Sequence, residues 1–221
     1  MYIYIIMKIC HYIILLFFLA ISHSIHANDK KPEASTWTNN VKQLLYDDDV
    51  EINDGSQFMK LITPYRALDA AIVPVTINFT IDQKTDNYIK SLTLVVDENP
   101  SPVVGKFKFS PKMGNASFTT RIRIDKYTYV RAIAEKNDGK KYMISNFVKA
   151  AGGCSAPSLA DMDSVMSRLG KMKMKFIETN HSSNSLNKAK FLISHPNFSG
   201  LQFNQLTRSE IPAHFVNFVK V

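Results

Sequence analysis

The 221-residue sequence predicts a mainly β protein, an antiparallel β-sandwich followed by a second and shorter β-rich segment. Three observations predict it. Between Ala71 and Val148, apolar residues recur with a period of two in one run after another, the pattern of strands buried on one face. Asn137-Asp138-Gly139 separates two of these runs, a strong hairpin signal. Helical periodicity is confined to two short stretches, one before the sandwich and one after it.

The elements follow in chain order. Residues 1–27, "MYIYIIMKICHYIILLFFLAISHSIHA", read as a secretory signal peptide. Lys8 supplies the positive n-region, and Ile13 to Ala20 is an apolar run too short to span a bilayer comfortably. Ala27 is the cleavage residue, and Met7 offers an alternative start. Cleavage would leave about 190 residues, enough for one large domain or two small ones. Loss of Lys8, the only formally charged side chain in the leader, takes the net charge from +8 to +7. The remaining charges are scattered. With no dense Lys/Arg block interleaved with aromatics, the composition argues against nucleic acid as a partner. On charge alone, acidic protein partners and a membrane surface both stay open; after signal cleavage no membrane association is expected.

"NDKKPEAS" is a polar leader to the first helix, "TWTNNVKQLLY". There Trp37, Val41, Leu44 and Leu45 fall on one face, with Ser35 or Thr36 as the cap. "DDDVEINDG" (47–55) has the acidity of a calcium loop but not its pattern. Asp54 stands where glycine is required and Lys60 where glutamate is required, so it reads as a solvated loop. The strands then follow as "AIVPVTINFTI", "SLTLVV" (91–96), "KFKFS" (106–110), "SFTTRIRI" (117–124), "YTYVRAIAE" and "KKYMISNFV". Pro74 cannot donate to a ladder and marks an edge or a bulge.

Past Val148 the periodicity stops, and "VKAAGGCSAP" carries Cys154. Ser158 and Asp161 form a capping-box pattern for a short helix with Leu159, Met162, Val165, Met166 and Leu169 on its apolar face, closed by Gly170. "KMKMKFIE", "AKFLIS" and "AHFVNFVKV" are strand-like again. Three strands do not close a core of their own. The second domain is therefore expected to be truncated, unless its strands finish a sheet with the first.

Only two cysteines occur, and signal cleavage removes Cys10. Cys154 then has no internal partner, which in an exported chain points to an intermolecular bond or a free reactive thiol. Gly152 and Gly153 widen the accessible backbone angles beside it, and Pro157 ends the loose stretch. Fully extended from Val148, the chain would place the thiol roughly 20 Å out. A sulfur on such an arm suits a covalent attachment point. A buried or incidental cysteine in a Gly-rich turn explains the same residues, and sequence physics alone leaves both readings open.

The segment "VKAAGGCSAP" resembles the Gly-Gly-Cys arm of the Y subunit of the bacterial sulfur-oxidation (Sox) carrier. "LTLVVDENPSPVVGKFKF" and "RIRIDKYTYVRAIAE" resemble the same subunit, and "FLISHPNFSGLQFNQLTRSEIPAHFV" resembles the Z subunit. The combination is similar to the fused SoxYZ-like carriers associated with quinoprotein dehydrogenases. The resemblance implies two immunoglobulin-like sandwiches, Y-like and Z-like. It implies covalent attachment of cargo at Cys154 and arm flexibility from Gly152 and Gly153. Two departures stand out: the chain continues past the arm, and Ser155-Ala156-Pro157 replaces the glycines that follow the sulfur. The domains expected are 1–27 signal peptide, 28–148 Y-like sandwich with its helix, 149–170 cysteine arm and linker helix, and 171–221 Z-like, truncated.

Other constellations read as structural. His181, His195 and His214 show no zinc spacing, and His195-Pro196 and Pro212-Ala213-His214 are expected to shape turns. Met143, Met162, Met166, Met172 and Met174 are expected to pack in the core rather than hold copper(I). No nucleophile elbow, P-loop or dinucleotide fingerprint is present in the sequence. The expectation is a non-enzymatic periplasmic carrier with no tightly bound cofactor. It would hold a small sulfur-containing cargo on Cys154 and present it to redox enzymes, a quinoprotein dehydrogenase or a cytochrome c. The alternative is a non-covalent module bridging such a dehydrogenase and its electron acceptor. A thiol enzyme would need a base near the sulfur and a lowered thiol pKa.

Overall fold

The structure is a computed structural model, and it describes residues 35–156, 164, 166–178, 186–204 and 207–220. The leader, Ser158, Leu159, Asp161, Met162, Val165 and His181 lie outside the described residues.

Eight strands build a sandwich of two sheets. The larger contains β1 (Ile52–Asp54), β4 (Ile89–Val96), β5 (Val103–Lys108), β7 (Thr128–Lys136) and β8 (Lys141–Val148), in the order β1-β8-β7-β4-β5. The smaller contains β2 (Met59–Ile62), β3 (Val73–Phe79) and β6 (Phe118–Ile122), with β3 central. All pairings are antiparallel except that of β1 with β8. The alternation seen in the sequence is the burial pattern. Val73, Val75, Ile77 and Phe79 point inward from β3, facing Leu92 and Leu94 of β4 and Val130, Ala132 and Ala134 of β7 in one core. Each such aliphatic side chain contributes about 1.5–3 kcal/mol by leaving water. Pro74 pairs only with Arg121 of β6, because β2 ends opposite Thr76, so its missing N–H falls where β3 is locally an edge.

Helix α1 begins as a π-helical segment, Trp37–Val41, and continues as α-helix over Lys42–Leu45. It covers the outer face of the larger sheet, where Trp37 and Val41 pack on Val95 and Ile133. Leu44, expected on this face, is 75% exposed. The wider i→i+5 turn changes the angular step of the helix and rotates Leu44 away. Thr36 makes no cap bond; its hydroxyl donates to the Glu98 carboxylate instead. Beneath Trp37, Arg131 grips Asp97 through Nε and Nη2 at 2.8–2.9 Å, both side chains buried, with the guanidinium 4.9 Å from the indole centroid.

Several expectations are corrected here, and the alternative in which the C-terminal strands complete the sandwich is not what the described residues show. Part of the acidic 47–55 loop is strand β1, held in place by β8. The C-terminal strands do not finish a sheet of the sandwich. β9 (Met172–Glu178) pairs with β10 (Lys188–Ile193), and β11 (Phe203–Asn204) pairs with β12 (Ser209–Glu210). Over its described residues, 213–220, the run "AHFVNFVKV" is not a strand; its backbone contributes one bridge, His214 to Phe198. In the β9–β10 ribbon, Met172, Met174 and Phe176 lie opposite Ile193, Phe191 and Ala189 on one face. Lys173 and Lys175 lie opposite Leu192 and Lys190 on the other. Met172 is 67% exposed and Met174 is also exposed, so the expected core packing of these methionines is not what β9 provides. Met143 does pack, against the Trp37 cluster.

Candidate functional site

Strand β8 leads directly into the site. Lys149 continues it by pairing with the chain at Arg66, its N–H donating to Tyr65 O at 2.7 Å and its O accepting from Ala67 N–H at 3.1 Å. Its side chain is buried, with Nζ 5.2 Å from the Tyr65 ring centroid. The Gly-Gly stretch then lies along the backbone that follows β6. Gly152 N–H donates to Asp125 O at 2.7 Å and Gly153 N–H to Ile124 O at 2.8 Å, while Arg123 Nη1 donates to Gly153 O at 2.8 Å. Asn99 fixes that rail from behind: its Nδ2 donates to Arg123 O, and its Oδ1 accepts from Asp125 N–H, both at 2.9 Å.

The glycines are used differently from the expectation of a free arm. Gly152 has φ +77°, the left-handed region that favours glycine. A Cβ on Gly153 would stand 2.0 Å from Ala70 O and 2.6 Å from Ile124 O. The missing side chain is what lets two backbones approach. In this structure the segment is docked, because its N–H groups find carbonyls only at that distance.

Cys154 is a free cysteine, 6% exposed. Its carbonyl accepts two side-chain bonds from far along the chain, Ser199 Oγ at 2.6 Å and Gln202 Nε2 at 2.9 Å. Gln202 is 1% exposed, and its Oε1 accepts from Ser199 N–H at 3.0 Å. Burial pushes the Cys154 thiol up from its ordinary value, the Asp125 carboxylate pushes it further up, and Arg123 opposes them. The sulfur at rest is a protonated thiol, the weak form of the nucleophile. This shift runs opposite to what a thiol enzyme requires. Lys149, five residues before the sulfur in the chain, is not among the groups that move it.

The two described histidines lie where the chain at Phe198 pairs with the chain at His214, and neither sits in a turn, so the expected turn-shaping role is not what these residues show. Their rings meet edge to face at 4.7 Å, and Phe198 and His214 exchange backbone bonds of 2.8 and 3.0 Å. Asn197 N–H donates to His195 Nδ1, and burial followed by the neighbouring His214 holds His195 below its ordinary value. Among the described residues, no group of three or more His, Cys, Asp or Glu is placed to hold a metal ion, and no helix is long and apolar enough to cross a membrane.

Sequence reasoning singled out Cys154, Gly152 and Gly153, which the structure brings together with Arg123, Asp125, Ser199 and Gln202. It missed those last four. The one local signal was a glutamine set between Leu201 and Phe203, a polar side chain in an apolar run.

The fold and the docked cysteine define a β-sandwich protein whose one cysteine among the described residues lies on the loop that leaves β8. The family model for sulfur oxidation protein SoxY matches residues 42–154, and that for sulphur oxidation protein SoxZ matches residues 174–221. The chain belongs to the sulfur-oxidation carrier family as a fused SoxYZ-like protein. No curated protein matches it. Among solved structures it is similar to the sulfur carrier protein SoxY from Chlorobium limicola f thiosulfatophilum. The identity is 22%, with 52% of this chain and 96% of that one covered and a TM-score of 0.42. It is also similar to a superoxide reductase (neelaredoxin) from Ignicoccus hospitalis, at 14% identity, with 44% and 94% covered and a TM-score of 0.40.

Proposed function

We propose that this chain is an exported carrier that holds a small sulfur-containing cargo covalently on Cys154 and presents it to periplasmic redox enzymes. The observation that carries this reading is where the SoxY match stops. It ends on Cys154 itself, the only cysteine after residue 27, on the loop leaving strand β8. The chemistry implies the partners. Joining a sulfur anion to the Cys154 sulfur forms one S–S bond, releases the thiol proton and gives up two electrons. Those two electrons need an acceptor, so a redox partner is part of the proposal; a quinoprotein dehydrogenase or a cytochrome c fits that role. Residues 1–27, read as a signal peptide, support export to the periplasm.

The test is intact mass of the protein purified from its native host without reductant. An adduct is expected on the wild type and none on Cys154→Ser. Equal adduct occupancy in the two proteins overturns the reading.

A second reading has one specific observation in its favour, the burial of Cys154. In it the protein is a non-covalent module bridging a dehydrogenase and its electron acceptor. Full complementation of a deletion strain by the Cys154→Ser allele would select this module over the carrier.

A further inference from the structure

We infer that Ser199 and Gln202 form a latch on the main chain of Cys154, and that release of the Phe198–Gln202 segment is the step that exposes the thiol. The functional meaning of the latch rests on Cys154 being the attachment residue; its existence does not.

Four observations carry the inference. First, one carbonyl, that of Cys154, accepts from two side chains 45 and 48 residues further on. Second, the Gln202 carboxamide is committed at both ends, to Cys154 O and to Ser199 N–H, in a nearly water-free position. A buried amide that lost these partners would be left unsatisfied, so the contact tends to be either made in full or abandoned together. Third, the segment is shaped independently of the cysteine. Phe198 is tied to His214 by two backbone bonds, and Gln202 O accepts from Ile211 N–H at 2.8 Å. Fourth, beside the buried Phe198 and Gln202 the segment is loosely covered: Leu201, within it, and Phe203, next to it, are exposed. Segments with few buried apolar contacts open at lower free energy than the core they lie on. The latch can therefore release without unfolding the sandwich. Ser199 and Gln202 are positioning residues in this scheme: they act on the sulfur through the backbone that bears it.

The experiment measures alkylation of Cys154 by iodoacetamide in the full chain at fixed pH under native conditions. The Ser199→Ala/Gln202→Met double variant removes both donors while Gln202→Met nearly preserves volume, and it is expected to label at least about tenfold faster than the wild type. Ser199→Thr keeps the hydroxyl and is expected to label within about twofold of the wild type, a rescue that loss of packing alone would not give. A double variant that keeps its unfolding midpoint and labels at the wild-type rate overturns the latch. Should the double variant not fold, labelling of the wild type in sub-denaturing urea decides. A urea dependence clearly shallower than that of global unfolding is expected, and labelling that tracks global unfolding overturns the inference. Failure here leaves the adduct-mass test of the carrier intact. Failure of that test leaves the labelling rates interpretable.

Discussion

The sandwich and the segment that follows it solve the burial problem in opposite ways. From Ile52 to Val148, two sheets enclose a shared core, and the larger sheet is buried a second time beneath α1. From Met172 onward, two small sheets leave most of their large apolar side chains in solvent, Phe176 being 59% exposed, and Phe218 beyond them is 78% exposed. Yet this second region is not uniformly open: Phe198 and Gln202 are buried, and Gln202 is bonded to the cysteine loop. The difference teaches that the two regions contribute different things. The first supplies stability, and the second supplies control over the cysteine loop that leaves it.

The comparison can be broken in three ways. The largest effect is expected at the second buried face of the sandwich. Arg131→Met leaves the Asp97 carboxylate buried without its partner, a loss of about 3–5 kcal/mol, read from urea unfolding followed by the fluorescence of Trp37. A loss below about 1 kcal/mol would mean that water reaches Asp97 and that this face is not a second core. Next comes a direct pair. Ile77→Ala removes a fully buried side chain and is expected to cost about 2–5 kcal/mol, against a change within about 0.5 kcal/mol for Phe218→Ala. Similar losses at both positions would erase the distinction between the regions. The smallest effect on stability and the sharpest on the site belongs to Gly153→Ala. Its Cβ cannot stand 2.0 Å from Ala70 O, so the loop must lift. Iodoacetamide labelling of Cys154 should therefore rise, where a purely flexible arm would label as before or more slowly.

Part of the sandwich was legible because a half-buried strand alternates: β3 does so throughout and β4 over its first half, while β7, buried on both faces, was legible as a β-rich apolar run beside the Asn137-Asp138-Gly139 turn. β1 was not legible. Its three residues sit in an acidic stretch, and only pairing with β8, nearly ninety positions away, makes them a strand. Leu44 was misplaced because helical periodicity presumes 3.6 residues per turn and the first turn of α1 is π-helical. At the site, Cys154 and its two glycines could be named but their use could not. A glycine that widens backbone freedom and a glycine that permits close approach are the same residue, and only Ala70 O and Ile124 O distinguish them. Ser199 and Gln202 were out of reach for a simpler reason. A bond across 45 residues leaves no periodicity to read.

The grip on residue 154 is on an oxygen of the peptide, not on the sulfur. It is therefore blind to what the side chain carries. Serine at this position would be clasped as firmly as cysteine, which makes Cys154→Ser a conservative blank for the chemistry. Whether a substituted sulfur can return to its berth is then decided by the adduct's own bulk and charge, since burial and Asp125 already disfavour an anion there. A short neutral adduct would be stowed with the loop closed, and a large or anionic one would keep the gate propped open.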